Sequence, residues 1–152
     1  MSSFVSVDLV NEVLAILKKA KAGKGALPKA LTAYQVLEMH PRRDELIAKH
    51  GRPGRRSGST FSAAQVVSRA LMKLEQGGAV KFKYVATAGM FFVVANEPVV
   101  PGYDVCAFYQ LTAVGAMTDH VQIEAGVIRL LDANDQLVRS PIQDRDREDE
   151  AA

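Results

Sequence analysis

The chain has one cysteine, Cys106, and no tryptophan among its 152 residues. A single thiol excludes an internal disulfide and a cysteine-rich zinc site, and it fits a reducing compartment. The three histidines are His40, His50 and His120. None stands at a metal-ligand spacing from Cys106 or from another histidine, so neither a metal nor a cofactor is expected. A glycine-rich phosphate loop and a nucleophile elbow are both missing. Asp104, Asp119 and Glu124 are too scattered to read as a catalytic pair, and Cys106 sits in an apolar run that favours burial over reactivity. The chain therefore does not read as an enzyme. Its apolar runs stop short of the roughly 18 residues that span a bilayer, and no basic segment precedes the apolar stretch in "MSSFVSVDLVNEVL". The expectation is a cytoplasmic protein without a membrane partner.

What is present is the composition of one globular domain, 48% hydrophobic and 24% charged, long enough to bury a core. Net charge is only +2 but unevenly spread. Residues 1–39 carry five lysines and three acids. Residues 40–83 carry ten lysines and arginines against Asp44, Glu45 and Glu75, and residues 84–152 carry four arginines against eleven acids. A basic middle beside an acidic last third predicts a face that meets a polyanion.

Hydrophobic spacing predicts a first helix over 7–22. Leu9, Val13, Ile16 and Leu17 form its stripe, Ser6 or Asp8 its cap, and Gly23 and Gly25 its stop. Thr32 with Gln35 is a capping box, and so is Ser62 with Gln65, where Phe61 and Val66 also stand at hydrophobic-staple positions. Between the helices that these boxes begin, "PRRDELIAKHG" reads as a short helix with Leu46 and Ile47 inward. Next comes the basic ribbon "HGRPGRRSGST". The helix opened by Ser62 buries Val67, Ala70, Leu71 and Leu74 and stops at Gly77 and Gly78. "AVKFKYVATAGMFFVVANE" reads as two strands turning at Ala88-Gly89, with Phe82 and Tyr84 toward the core and Lys81 and Lys83 outward. "DVCAFYQL" is a further strand or an edge piece. From 112 to 131 the steps Leu111, Val114, Thr118, Val121, Ala125 and Ile128 favour a helix; a hairpin around Asn134-Asp135 is the alternative. The charged residues 141–152 read as a disordered acidic tail.

The stretch "VVSRALMKLEQGGAVKFKYVATAGMFFVV" resembles the recognition helix and wing of winged helix-turn-helix DNA-binding domains, in the manner of bacterial regulators of the MarR and PadR type. The carrying pattern is Val67-Ser68-Arg69, Leu71, Leu74-Glu75, a glycine, Val80 and a hairpin, with "YQLTAVG" resembling the exit into a C-terminal helix. The resemblance implies an α+β fold: one winged-helix domain over 1–140, with its core at 31–95, an N-terminal helix and a C-terminal dimerisation helix near 112–131. It implies sequence-specific double-stranded DNA binding by a homodimeric transcriptional regulator. A plasmid or phage replication or partition protein, and a winged-helix adaptor in a larger assembly, are the alternatives. The contact residues would be Ser62, Gln65, Ser68, Arg69 and Lys73 on the helix, Lys81 and Lys83 on the wing, and Arg52, Arg55 and Arg56 in the ribbon. Gly51-Arg52-Pro53 resembles part of an AT-hook core, with His50 in place of its first arginine. The ribbon is far longer than the usual turn between two such helices. The sequence indicates no effector.

Overall fold

Ser6 opens the first helix. Its hydroxyl accepts the Leu9 N–H at 3.4 Å and begins α1, Val7–Lys19. The structure is a computed structural model that describes residues 6–20, 29–53, 62–101 and 104–138. Helix α1 closes on Ala20, three residues before the expected glycine stop; Gly23 and Gly25 lie outside the described residues. So do Arg55, Arg56, Phe61 and the tail 141–152.

Both capping boxes form. Thr32 starts α2, Ala33–Met39, and Ser62 starts α4, Ala63–Gln76. In each the hydroxyl accepts the backbone N–H of the glutamine, whose carbonyl oxygen accepts the cap N–H in return. Pro41 falls between α2 and the short α3, Arg43–His50, which ends at Gly51 with φ 99°. The core lies where α1, α2 and α4 meet. Val10, Val13, Leu14, Leu17, Val36, Leu37, Val67, Ala70, Leu71 and Leu74 are all essentially inaccessible there, as their helical spacing requires.

The strands depart from the expected hairpin. Strand β1, Val80–Ala86, does not pair with β2, Phe92–Val94, across Ala88-Gly89. It pairs antiparallel with β4, Val105–Leu111, in a register that puts Val80 opposite Leu111 and Phe82 opposite Tyr109. Leu31 bridges Tyr109 on the other edge of β4. Strands β2 and β3, Glu97–Val99, make their own hairpin inside the connection. This hairpin docks on α2: Phe92 stacks on Tyr34 with ring centroids 5.3 Å apart, and the Ala95 N–H donates to Glu38 at 2.8 Å.

The expected C-terminal helix over 112–131 is also replaced. Thr112 caps a single short helix α5, Ala113–Met117. Its start is fixed to the turn after α4, because the Thr112 hydroxyl donates to the Gly78 carbonyl at 2.6 Å and its N–H to that of Ala79. A Cβ on Gly115 would come within 2.0 Å of the Ala79 carbonyl oxygen, so only glycine permits this approach. The Thr118 hydroxyl then donates back to Val114, and the chain leaves the helix. Strands β5, His120–Glu124, and β6, Val127–Leu131, form an antiparallel hairpin turning at Ala125-Gly126. A smaller reversal at Asn134-Asp135 brings Leu137 back to Leu131, so part of the alternative reading is present. The helical period misled for a physical reason. Leu111, Val114, Thr118 and Val121 do all point inward, but from a strand, a helix, a link and a strand in turn. Two side chains of α1 clamp this region. Asn11 bonds both the N–H and the carbonyl of Val121, at 2.7 and 3.2 Å, and Lys18 donates to the Thr118 carbonyl at 2.7 Å. The molecule is thus α+β, with five helices and three two-stranded antiparallel sheets among the described residues.

Candidate nucleic-acid interface

Helix α4 carries the most candidate residues. Its apolar stripe is buried against α1 and α2, which leaves Gln65, Met72 and Gln76 exposed and Arg69 half-buried on the opposite side. That is one outward face with a spacing of four, seven and eleven residues from Gln65. Ser62 and Gln65 are engaged with each other in the capping box. The Gln65 carbonyl oxygen already accepts one hydrogen bond, which orients the side chain toward the cap and competes with the two-point contact to adenine that a free glutamine makes. Ser68 is half-buried and lies near enough to the hydroxyl of buried Tyr109 to favour its ionised form, so it is on the ribbon side of α4 and not on the outward face. Burial pushes that phenol above its ordinary value. Lys73 donates to the Gly126 carbonyl, tying α4 to the β5–β6 turn.

The ribbon β1–β4 stands beside this helix, and its pleat separates two kinds of side chain. Residues facing each other across the register share a face, so Phe82, Tyr84, Tyr109 and Ala107 lie on one side. Lys81, Lys83, Phe108 and Gln110 lie on the other. Tyr109 meets Ser68 of α4, which places the aromatic face on the α4 side. Phe82 and Tyr84 were expected to be buried. They lie on the core-side face but reach past the core, Phe82 being 40% and Tyr84 65% exposed. Lys81 and Lys83 are exposed on the opposite face, and neither makes an ion pair among the described residues.

Much of the remaining positive charge is held internally. Arg52 pairs with Glu97 of β3 at 2.7 Å, Arg43 with Glu38 and Asp44 at 2.8 and 3.1 Å, and Arg42 clasps Glu12 with two hydrogen bonds of 2.9 and 2.6 Å. Sequence reasoning missed Arg52–Glu97 and Arg42–Glu12 because they join segments distant in the chain, and these acids dilute the basic middle in space. The Arg42 clasp holds the Glu12 carboxyl below its ordinary range. Beside it, His40 is almost fully buried, its Nδ1 accepting the Arg42 N–H at 2.9 Å and its Nε2 lying 3.3 Å from Glu12 but out of line for a hydrogen bond. Desolvation pushes the His40 pKa down. A cleft of about 300 Å³ next to this cluster is lined by Glu12, Ala15, Ile16, Lys19, Met39 and Pro41.

Among the described residues no three histidine, cysteine or acidic side chains group as metal ligands, and no helix is long and apolar enough to cross a membrane. Burial raises the Cys106 pKa, which keeps it a thiol. No protein-family model, curated protein or solved structure matches the chain.

Proposed function

We propose that α4 and the β1–β4 ribbon form a winged-helix unit that binds double-stranded DNA in a sequence-dependent way, as a transcriptional regulator does. The observation that carries this reading is the outward face of α4. Gln65, Arg69 and Gln76 are polar side chains at helical spacing on a helix rigidly capped and backed by the core. An antiparallel ribbon follows within four residues of its end, bearing the exposed Lys81 and Lys83. The order α1, bridging residue Leu31, α2, α3, α4, β1 and β4, with the β2–β3 hairpin inserted between the last two strands, further supports it, since Leu31 adds a third backbone partner to the pair β1–β4. Arg69 would contact bases or phosphates, and the lysines phosphates. Lysines on an edge strand have long flexible stems that bend around it. Arg52 is committed to Glu97 and serves the β2–β3 hairpin first.

A homodimer was expected to use a C-terminal helix, and a first helix with an apolar stripe is a second candidate for such pairing. The apolar stripe of α1 already packs inside the chain, and the C-terminal element is a hairpin clamped to α1. A second copy would therefore have to meet another surface. A protein-interaction adaptor is favoured by one observation, the exposure of Phe91, Val93 and Val100 along the β2–β3 hairpin.

Titrating a fluorescent duplex library at rising salt separates these readings. A DNA binder loses affinity along a straight log–log line, and Lys81→Ala and Lys83→Ala each flatten its slope by about one. Arg69→Ala lowers affinity for the selected site more than for random duplex. Absence of duplex binding at 50 mM salt would sink the DNA reading and leave the adaptor.

A further inference from the structure

The surface beside α4 on the ribbon is aromatic, not basic. Tyr109 is buried at its root, Phe82 packs on Tyr109 with centroids 5.6 Å apart, and Tyr84 meets Phe82 edge-to-face at 5.3 Å. The three rings form a ladder from core to solvent that ends on the most exposed aromatic of the ribbon. Such a ring is held in place before any ligand arrives, so little rotamer entropy is lost when something stacks on it. Tyr84 adds almost nothing to the core, being 65% exposed. On the other face of the same edge strand stand Lys81 and Lys83, which favour an anion.

An exposed, braced ring on one face of an edge strand, with two lysines on its other face that make no ion pair among the described residues, suits a nucleobase whose strand runs along that edge, where the long lysine stems reach its phosphates. Bases inside a duplex are stacked on both faces and offer none to a tyrosine. We propose that Tyr84, propped by Phe82, stacks on an unpaired base at an end or junction of the nucleic acid that α4 holds. This rests on the DNA reading above and narrows its ligand to duplex with adjoining single strand.

The test compares three labelled probes by fluorescence anisotropy: a blunt duplex, the same duplex with a single-stranded overhang, and the overhang strand alone. The overhang duplex is expected to bind more tightly than the blunt one by about 5- to 100-fold, the range that stacking of one base supplies. Tyr84→Ala removes that advantage while blunt-duplex affinity stays as it was, and Tyr84→Phe, which keeps the ring, retains it. Equal binding of blunt and overhang probes overturns the inference but leaves the DNA reading standing. An advantage that survives Tyr84→Ala does the same. Failure to bind any probe removes both. Sedimentation provides the remaining arm: if Tyr84→Ala separates a dimer into monomers and leaves probe binding unchanged, the ring is a protein contact and the inference is wrong.

Discussion

The helical centre and the β1–β4 ribbon differ in how completely their apolar side chains are used. In α1, α2 and α4 each large aliphatic group on the inward stripe is buried, and the outward positions are mostly polar or charged, with Val7, Ala15, Met39 and Met72 as exceptions. In the ribbon Phe82, Tyr84 and Val105 remain 40%, 65% and 47% exposed on a strand pair well formed along its full register. Burial explains the first region. It does not explain the second, where folding alone would accept polar residues. Side chains that stability does not require are those free to serve recognition.

The comparison breaks first if the centre is not where the stability resides. Leu71 is fully buried on α4 between the other helices. Leu71→Ala is expected to lower unfolding free energy by about 2–5 kcal/mol, read from urea denaturation followed by circular dichroism. A loss below about 1 kcal/mol, small beside that range, would mean that the centre is looser than its burial indicates.

The same contrast separates what was legible in the sequence from what was not. The helices were legible because stripe and cap agree. Ser62, Gln65, Val67, Ala70, Leu71 and Leu74 all specify α4, and Thr32 with Gln35 specifies α2. The hairpins were less so, because the first position of each turn is alanine, and only the second carries the asparagine or glycine that signals such a turn. Ala95 (φ 51°) with Asn96 (φ 66°), and Ala125 (φ 51°) with Gly126 (φ 79°), make two-residue turns with both residues left-handed. An alanine there is held by the strands around it and leaves no local mark. Strand partners were illegible for a related reason. The pairing of β1 with β4 skips over a complete hairpin, which local pattern cannot reveal. Of the candidate contacts, those on α4 fall on a capped helix with one side turned from the core. The inward turn of Ser68 toward Tyr109 and the withdrawal of Arg52 to Glu97 depend on those long-range partners.

A second prediction sharpens the picture of the centre by acid. The folded state holds His40 neutral. Desolvation lowers its pKa, and the nearby charges are Glu12, Arg42 and Glu45. A proton on Nδ1 would also displace the Arg42 N–H that this nitrogen accepts. A group whose folded pKa is depressed binds protons more readily when unfolded, so its contribution is present above its ordinary pKa and is lost as pH falls below it. For His40 the loss begins near 6.5; Glu12, clasped by Arg42 and also depressed, adds a further loss as pH falls below about its ordinary 4.5. The melting temperature should therefore decline from pH 7 to pH 5, as the unfolding free energy falls by at most about 1.4 kcal/mol per pH unit for one proton. His40→Asn, which retains an acceptor for the Arg42 N–H, should flatten that decline. An unchanged pH profile in this variant would place the acid sensitivity elsewhere.

The smallest expected effect tests the other side of the comparison. Tyr84 touches Phe82 by its edge and leaves about two thirds of its surface to solvent, 65%. Removing an exposed ring with one aromatic neighbour should change stability by no more than about 0.5 kcal/mol. Phe82 lies one rung deeper against Tyr109, so Phe82→Ala should cost more than Tyr84→Ala, in the order that the ladder descends toward the core. If Tyr84→Ala instead lowers unfolding free energy by 2 kcal/mol or more, well beyond the surface range, the ring braces the ribbon and is not spare. Its exposure would then reflect a fold that needs it there and would carry no sign of recognition. If the cost is as small as the geometry indicates, the ring remains on the surface for a reason that folding does not supply.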